Sequence, residues 1–215
     1  TGSGKTTFSR LVLRLVEPTR GTVLLGGVPI ADMPVSELRR RAALVSQEVE
    51  LFAGTIRDNV TLFDDTIEDE RVVEALRAVG LDGLVDGGID RELGSAGTGL
   101  SAGEAQLLSL ARVWMRDPDV LVFDEATARI DPQTERQIEA AVARLMVGRT
   151  TLIIAHRLST LHAVDDIVVF DHGVVAEFGP RADLVGDDES HFARLLALAL
   201  DSPEESTVDR EVIAT

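Results

Sequence analysis

The run Thr1-Gly2-Ser3-Gly4-Lys5-Thr6-Thr7 combines two glycines, one lysine and several hydroxyls at the head of a segment with helical apolar spacing. This is chemistry suited to polyphosphate. Glycines let successive backbone N–H groups turn toward an anion, and a helix N-terminus adds partial positive charge. The run fits the back of the pattern G-x-x-x-x-G-K-[ST], whose first glycine and next residue would lie upstream of Thr1. In that pattern Lys5 reaches the β and γ phosphates and Thr6 offers its hydroxyl to Mg²⁺. Lys5 is the only lysine in the chain; every other basic side chain apart from histidine is Arg. A slim point charge therefore stands at the one place where a cation must lie among phosphate oxygens.

A second constellation complements the first. Val120-Leu121-Val122-Phe123 is an apolar strand that runs into Asp124-Glu125. Carboxylates at the C-terminal end of a strand sit where ligands bind in open α/β sheets. Asp124 is then placed to hold Mg²⁺, and Glu125 to orient and deprotonate water. A Gly-Ser linker would account for the first run alone, and chance for two acids after a strand. The pairing of the two is much less accidental.

The elements that must position these residues follow from periodicity. Apolar spacing predicts a helix over 5–16, ended near Pro18, and a short strand with a Gly26-Gly27 turn over 21–30. Residues 42–46 read as a core strand. From 48 to about 116 the pattern is helical, with segments at 55–61, 68–79, 81–85 and 101–115. Asp131-Pro132 supplies an N-cap and N1 proline for a helix to about Met146. A strand over 150–155, a hairpin around His172-Gly173 and two short helices follow. The expected fold is α/β: a mostly parallel core over 1–47 and 117–200, a helical subdomain over about 48–116, and a mobile polar tail over 201–215.

Composition removes several classes of function. The net charge of −16 repels a phosphate backbone, so nucleic acid is not an expected partner. Zero Cys excludes a disulfide framework and Cys-ligated metal. No apolar run approaches the ~20 residues of a membrane span. His162, His172 and His191 have surface or turn contexts, and the acidic run from Asp64 to Glu70 reads as a solvated helix start.

Between and beyond the two constellations, further segments resemble the ATP-binding cassette (ABC) family over essentially the whole chain. Val45-Ser46-Gln47-Glu48 resembles its Q-loop and Leu100-Ser101-Ala102-Gly103-Glu104 its LSGGQ signature. Ala128-Arg129-Ile130-Asp131 resembles its D-loop, and Ile154-Ala155-His156-Arg157 its switch-histidine loop. The resemblance implies a P-loop NTPase core that binds ATP and Mg²⁺ and pairs head to tail with a second ABC ATPase domain, as a homodimer or heterodimer. It makes Gln47 a Mg²⁺ and water contact and His156 a γ-phosphate contact, and places Asp131 at the dimer seam. Thr1 to Thr7 would hold ATP from one side. Ser101 and Gly103 would face the partner's γ-phosphate.

Leu51-Phe52-Ala53-Gly54-Thr55-Ile56-Arg57-Asp58-Asn59-Val60 and Ala155-His156-Arg157-Leu158-Ser159-Thr160 are similar to the exporter branch. That likeness implies a transmembrane domain fused upstream and a place at the cytoplasmic face of a membrane. The signature departs from the family at Ala102, which replaces a glycine, and at Glu104, which replaces Gln. Ala102 would be strained if the backbone there required positive φ, and Glu104 is a candidate helix cap or Arg partner. Two alternatives accompany the exporter ATPase: the altered-signature half of a heterodimeric exporter, and a soluble ABC ATPase without transport.

Overall fold

The computed structural model describes residues 3–46, 49–94, 98–124, 131–155, 161–162, 164–200 and 211–214, with the backbone alone at 199–200 and 211–214. The chain divides into two compact units. One is drawn from Thr1–Leu44, Val120–Ala126 and Thr150–Thr215, the other from Val45–Asp119 and Thr127–Arg149.

The first unit is built on a six-stranded sheet. Its strands are β3 (Ala42–Val45), β6 (Val120–Asp124), β7 (Thr150–Ala155), β8 (Asp166–Asp171), β9 (Val174–Pro180) and β10 (Glu211–Ala214), in the order β3-β6-β7-β10-β8-β9. β6 and β7 run parallel, with Asp124 opposite Ile154. On the other side, β10 is antiparallel to both β7 and β8, and β8 to β9. The polar tail expected from residue 201 thus contains a sheet strand at 211–214.

Alternation along the strands sorts the core into two faces. Leu152, Ile154 and Phe170 pack with Phe8, Val12 and Leu13 of helix α1 (Lys5–Val12) and the residue after it. Ala155, Ile167 and Val169 pack instead with Phe192 and Leu195 of α9 (His191–Leu200). Helices on both faces make β6 apolar without interruption, because neither side meets water. Before the sheet come a hairpin, β1 (Leu24–Leu25) with β2 (Val28–Pro29), and α2 (Val35–Arg41). After β9 comes α8 (Arg181–Gly186).

α1 stops at Val12, short of the expected Val16. Arg14 takes a left-handed φ of 51° and donates from Nη1 to the carbonyls of Ile30 and Met33 at 3.0 and 2.9 Å. Tertiary hydrogen bonds there outcompete another helical turn.

The second unit is mostly helical: α3 (Ile56–Thr61), α4 (Asp69–Ala78), α5 (Asp82–Asp86), α6 (Ala102–Arg116) and α7 (Pro132–Met146). A two-residue ladder, β4 (Gly54–Thr55) with β5 (Glu92–Leu93), ties its loops. The wide apolar stripe of α6 (Leu107, Leu108, Leu110, Ala111, Val113) is buried, as are Val72, Ala75 and Leu76 of α4. α6 ends at Asp117 in a left-handed conformation, and Asp117 accepts from Arg149 at 2.5 Å. By its contacts α7 belongs to this unit rather than to the sheet core where its place in the sequence put it.

Candidate functional site

In the first unit the N-terminus of α1 reaches the C-terminal end of β7, beside which β6 ends. Gly4 caps α1 with φ 110°, which only glycine adopts readily, and no side chain caps the helix. A Cβ at Gly4 would also lie 3.3 Å from the Cα of Gly173. The turn between β8 and β9 fixes this loop, because the Gly173 N–H donates to the Ser3 carbonyl at 2.8 Å. Lys5 is 3% exposed, and its Nζ lies 3.5 Å from the carbonyl of Ala155 at the end of β7. The Lys5 ammonium thus lies at the C-terminal end of a strand, the end at which ligands bind in open α/β sheets. Thr6 and Thr7, one turn along, are exposed. Asp124 closes β6 beside Ile154, one residue before Ala155 on the neighbouring strand.

Among the expected site residues, Thr1, Gly2, Gln47, Glu125 and His156 lie outside the described residues, as do Ala128, Arg129 and Ile130 of the D-loop-like segment. In sequence, Glu125 directly follows β6 and His156 directly follows β7.

In the second unit the signature begins a helix. Ser101 is the N-cap of α6: its Oγ accepts from the Glu104 N–H at 3.2 Å, and Glu104 Oε2 accepts from the Ser101 N–H at 2.8 Å and from its hydroxyl at 2.9 Å. This is a capping box, and it gives Glu104 the cap role expected of it. Ala102 is the first helical residue, exposed and without positive φ, so its methyl group is accommodated there. Gly103 is buried. Asp131 caps α7 by accepting from the N–H groups of Gln133 and Thr134 at 3.1 and 3.0 Å. The Thr134 hydroxyl and N–H hold its carboxyl below the ordinary aspartate value.

A clip absent from the sequence expectations fixes the segment that follows Gln47. Buried Asn59 accepts the Phe52 N–H at 2.8 Å and donates to the carbonyls of Phe52 and Thr55 at 2.9 and 3.0 Å. Arg112 donates to the Asn59 carbonyl at 2.6 Å and to that of Glu50 at 2.8 Å. Burial lowers the Arg112 pKa from its ordinary value. The available signal was an Asn on the buried face of a predicted helix, where a polar side chain must find partners.

A buried lysine at a helix N-terminus against one strand end, with an aspartate closing the neighbouring strand, is the arrangement expected of a P-loop ATPase domain. A family model described as "ABC transporter" matches residues 1–128, and the chain belongs to that family. It is 43% identical over 207 residues to the ATP-dependent lipid A-core flippase of Chromobacterium violaceum, covering 94% of this chain and 35% of that protein. The flippase of Cupriavidus metallidurans is 46% identical over 191 residues, which cover 86% of this chain and 32% of the relative. Among solved structures the chain is similar to a bacterial Atm1-family ABC exporter with ATP bound. The TM-score is 0.81 at 34% identity, covering 95% of this chain and 36% of that one. The chain thus spans about a third of the length of the curated relatives it matches.

Proposed function

We propose that this domain is the ATP-driven motor of a membrane exporter. The observation that carries the reading is buried Lys5 against the Ala155 carbonyl at the end of β7, with Asp124 closing the neighbouring β6. Ser3 to Thr7 cradle the nucleotide, with Thr1 and Gly2 ahead of them. Lys5 binds the β and γ phosphates, Glu125 is the base that activates water, and Gln47 and His156 orient that water and the γ-phosphate.

The donors offered to Mg²⁺, the Thr6 hydroxyl and the Asp124 carboxylate, are hard oxygens of the kind that ion takes. Among the described residues no cluster of three or more His, Cys, Asp or Glu would hold a metal by itself. An ion held by Thr6 and Asp124 would supply charge neutralisation at the phosphates.

Ser101, Gly103 and Asp131 serve a second copy or a related ATPase domain, their helix starts facing the partner's nucleotide. The exposed trio Phe52, Leu62 and Phe63 supports docking of a membrane domain at the cytoplasmic face. Leu62 and Phe63 hold consecutive left-handed φ values of 56° and 64°, a strained conformation of the kind kept at functional surfaces. Among the described residues no helix is long and apolar enough to cross a membrane, so any spans would belong to another part of the protein.

The test is ATP turnover of the full-length gene product in lipid. Glu125→Gln is expected to bind Mg-ATP and hydrolyse it very slowly. Undiminished turnover would remove Glu125 from the role of base.

A second reading is favoured by one observation. The Glu104 carboxylate lies on Ser101, where a partner's γ-phosphate would be received. On this reading the chain is the weak-signature half of a heterodimer, and full activity of the protein alone would end it.

A further inference from the structure

Gly103 does not owe its identity to backbone conformation, because its φ is not in the left-handed region. It owes it to Thr134. A Cβ built on Gly103 would stand 2.0 Å from Thr134 Cγ2, 3.3 Å from its Cβ and 3.6 Å from its Oγ1. Thr134 is the third residue of α7, and its N–H donates to Asp131 Oδ1 at 3.0 Å. One threonine therefore rests its methyl on the signature helix and its N–H on the cap of its own helix.

We propose that Thr134 is a positioning residue: it fixes the start of α6, with the Ala102 and Gly103 N–H groups, against the Asp131 cap of α7. This rests on the proposed function, in which those N–H groups receive a partner's γ-phosphate. Close-packed contacts transmit displacement, because the interior has no slack to absorb it. A shift of the Asp131 segment therefore moves the signature, and the two ends of the trans contact with nucleotide act as one body. Thr134→Ser removes the methyl that meets Gly103, and Thr134→Val keeps it.

The experiment is steady-state ATP hydrolysis by the full-length gene product in lipid, with thermal midpoints and binding of a non-hydrolysable ATP analogue measured alongside. Thr134→Ser is expected to lower kcat/KM for ATP roughly tenfold, with the thermal midpoint and analogue binding near wild type. Gly103→Ala is expected to fall further. The double variant Gly103→Ala/Thr134→Ser should recover to the level of Thr134→Ser, since the nearest remaining side-chain atom stands 3.3 Å from the new methyl. Thr134→Val, which keeps the methyl contact, should stay within about threefold of wild type.

Wild-type kcat/KM in Thr134→Ser would overturn the proposal, as would a double variant no better than Gly103→Ala. If Gly103→Ala does not fold, the comparison of Ser with Val at 134 decides: equal impairment in both overturns the methyl contact. Absence of Lys5-dependent hydrolysis in the wild-type protein would overturn the proposed function itself, and this proposal with it.

Discussion

The ammonium of Lys5 lies 3.5 Å from the carbonyl oxygen of Ala155, although 150 residues separate them. The carbonyl orients the amine, and the buried setting leaves room for a narrow cation. Lys5→Ala is expected to lower ATP turnover by about 100-fold or more, on the scale of losing one preorganised phosphate-stabilising donor. Lys5→Arg should not restore it, because a planar guanidinium does not fit where a point charge is cradled. Turnover of both variants under saturating Mg-ATP checks this, and an active Arg variant would contradict the steric part.

Glu104 holds the start of α6 through its bonds to Ser101. Glu104→Gln keeps an acceptor for the Ser101 N–H and removes a negative charge from the presumed path of a phosphate. The expected result is an unchanged thermal midpoint and a lower KM for ATP. Ser101→Ala, by contrast, should destabilise the fold by about 1 kcal/mol through loss of the N-cap. A rise in KM for Glu104→Gln would show that the carboxylate is needed for more than capping.

Asn59 satisfies the backbone of Phe52 and Thr55, while Arg112 joins it to Glu50. Asn59→Ala would leave several of these groups buried without partners, at a cost of about 2–3 kcal/mol. For a chain of this length that is a fall in thermal midpoint of roughly 5–10 °C. Differential scanning calorimetry measures it. ATP turnover should fall as well, because the segment after Gln47 loses its anchor.

Three aspartates, Asp58, Asp64 and Asp131, have pKa values below the ordinary aspartate value. The causes are, in turn, the Thr55 backbone N–H, the Thr66 hydroxyl and the Thr134 hydroxyl. A depressed folded-state pKa means that the unfolded chain binds more protons at acid pH. The stability from these hydrogen bonds is therefore fully present above the unfolded value, about 3.9, and is lost as pH falls through the lower folded values. Asp131→Asn is expected to flatten that acid limb while keeping part of the cap at neutral pH. Unfolding in urea at a series of pH values tests the sign.

The long periodic elements were legible in the sequence: α4, α6, α7, β6 and β7 lie within a residue or two of where apolar spacing put them. So was the hairpin at His172-Gly173, because turn chemistry is local. α2 was not, since Val35-Ser36-Glu37-Leu38-Arg39-Arg40-Arg41 presents one buried residue, Leu38, and no stripe. β4, β5 and β10 were not, because strands of two to four residues are defined by their partners. At the site, Lys5, Asp124, Ser101 and Asp131 could be picked out because their chemistry is written in adjacent residues. Thr134 and Gly173 could not: each matters through a contact with a glycine far away in the chain, and glycine carries no pattern that announces what packs on it.

The anchoring of Ser3 by Gly173 has a consequence for how the polypeptide is made. Ser3, Gly4 and Lys5 leave the ribosome well before two of the elements that hold them, the strand end at Ala155 and the turn at Gly173. At ordinary bacterial elongation rates that interval is roughly ten to thirty seconds. Until β7 and β8 are made, the apolar face of α1 lacks Leu152, Ile154 and Phe170 to cover it. A nascent chain stalled before residue 155 would thus present Phe8 and Val12 to chaperones, and the nucleotide loop would be among the last parts of the first unit to acquire its shape.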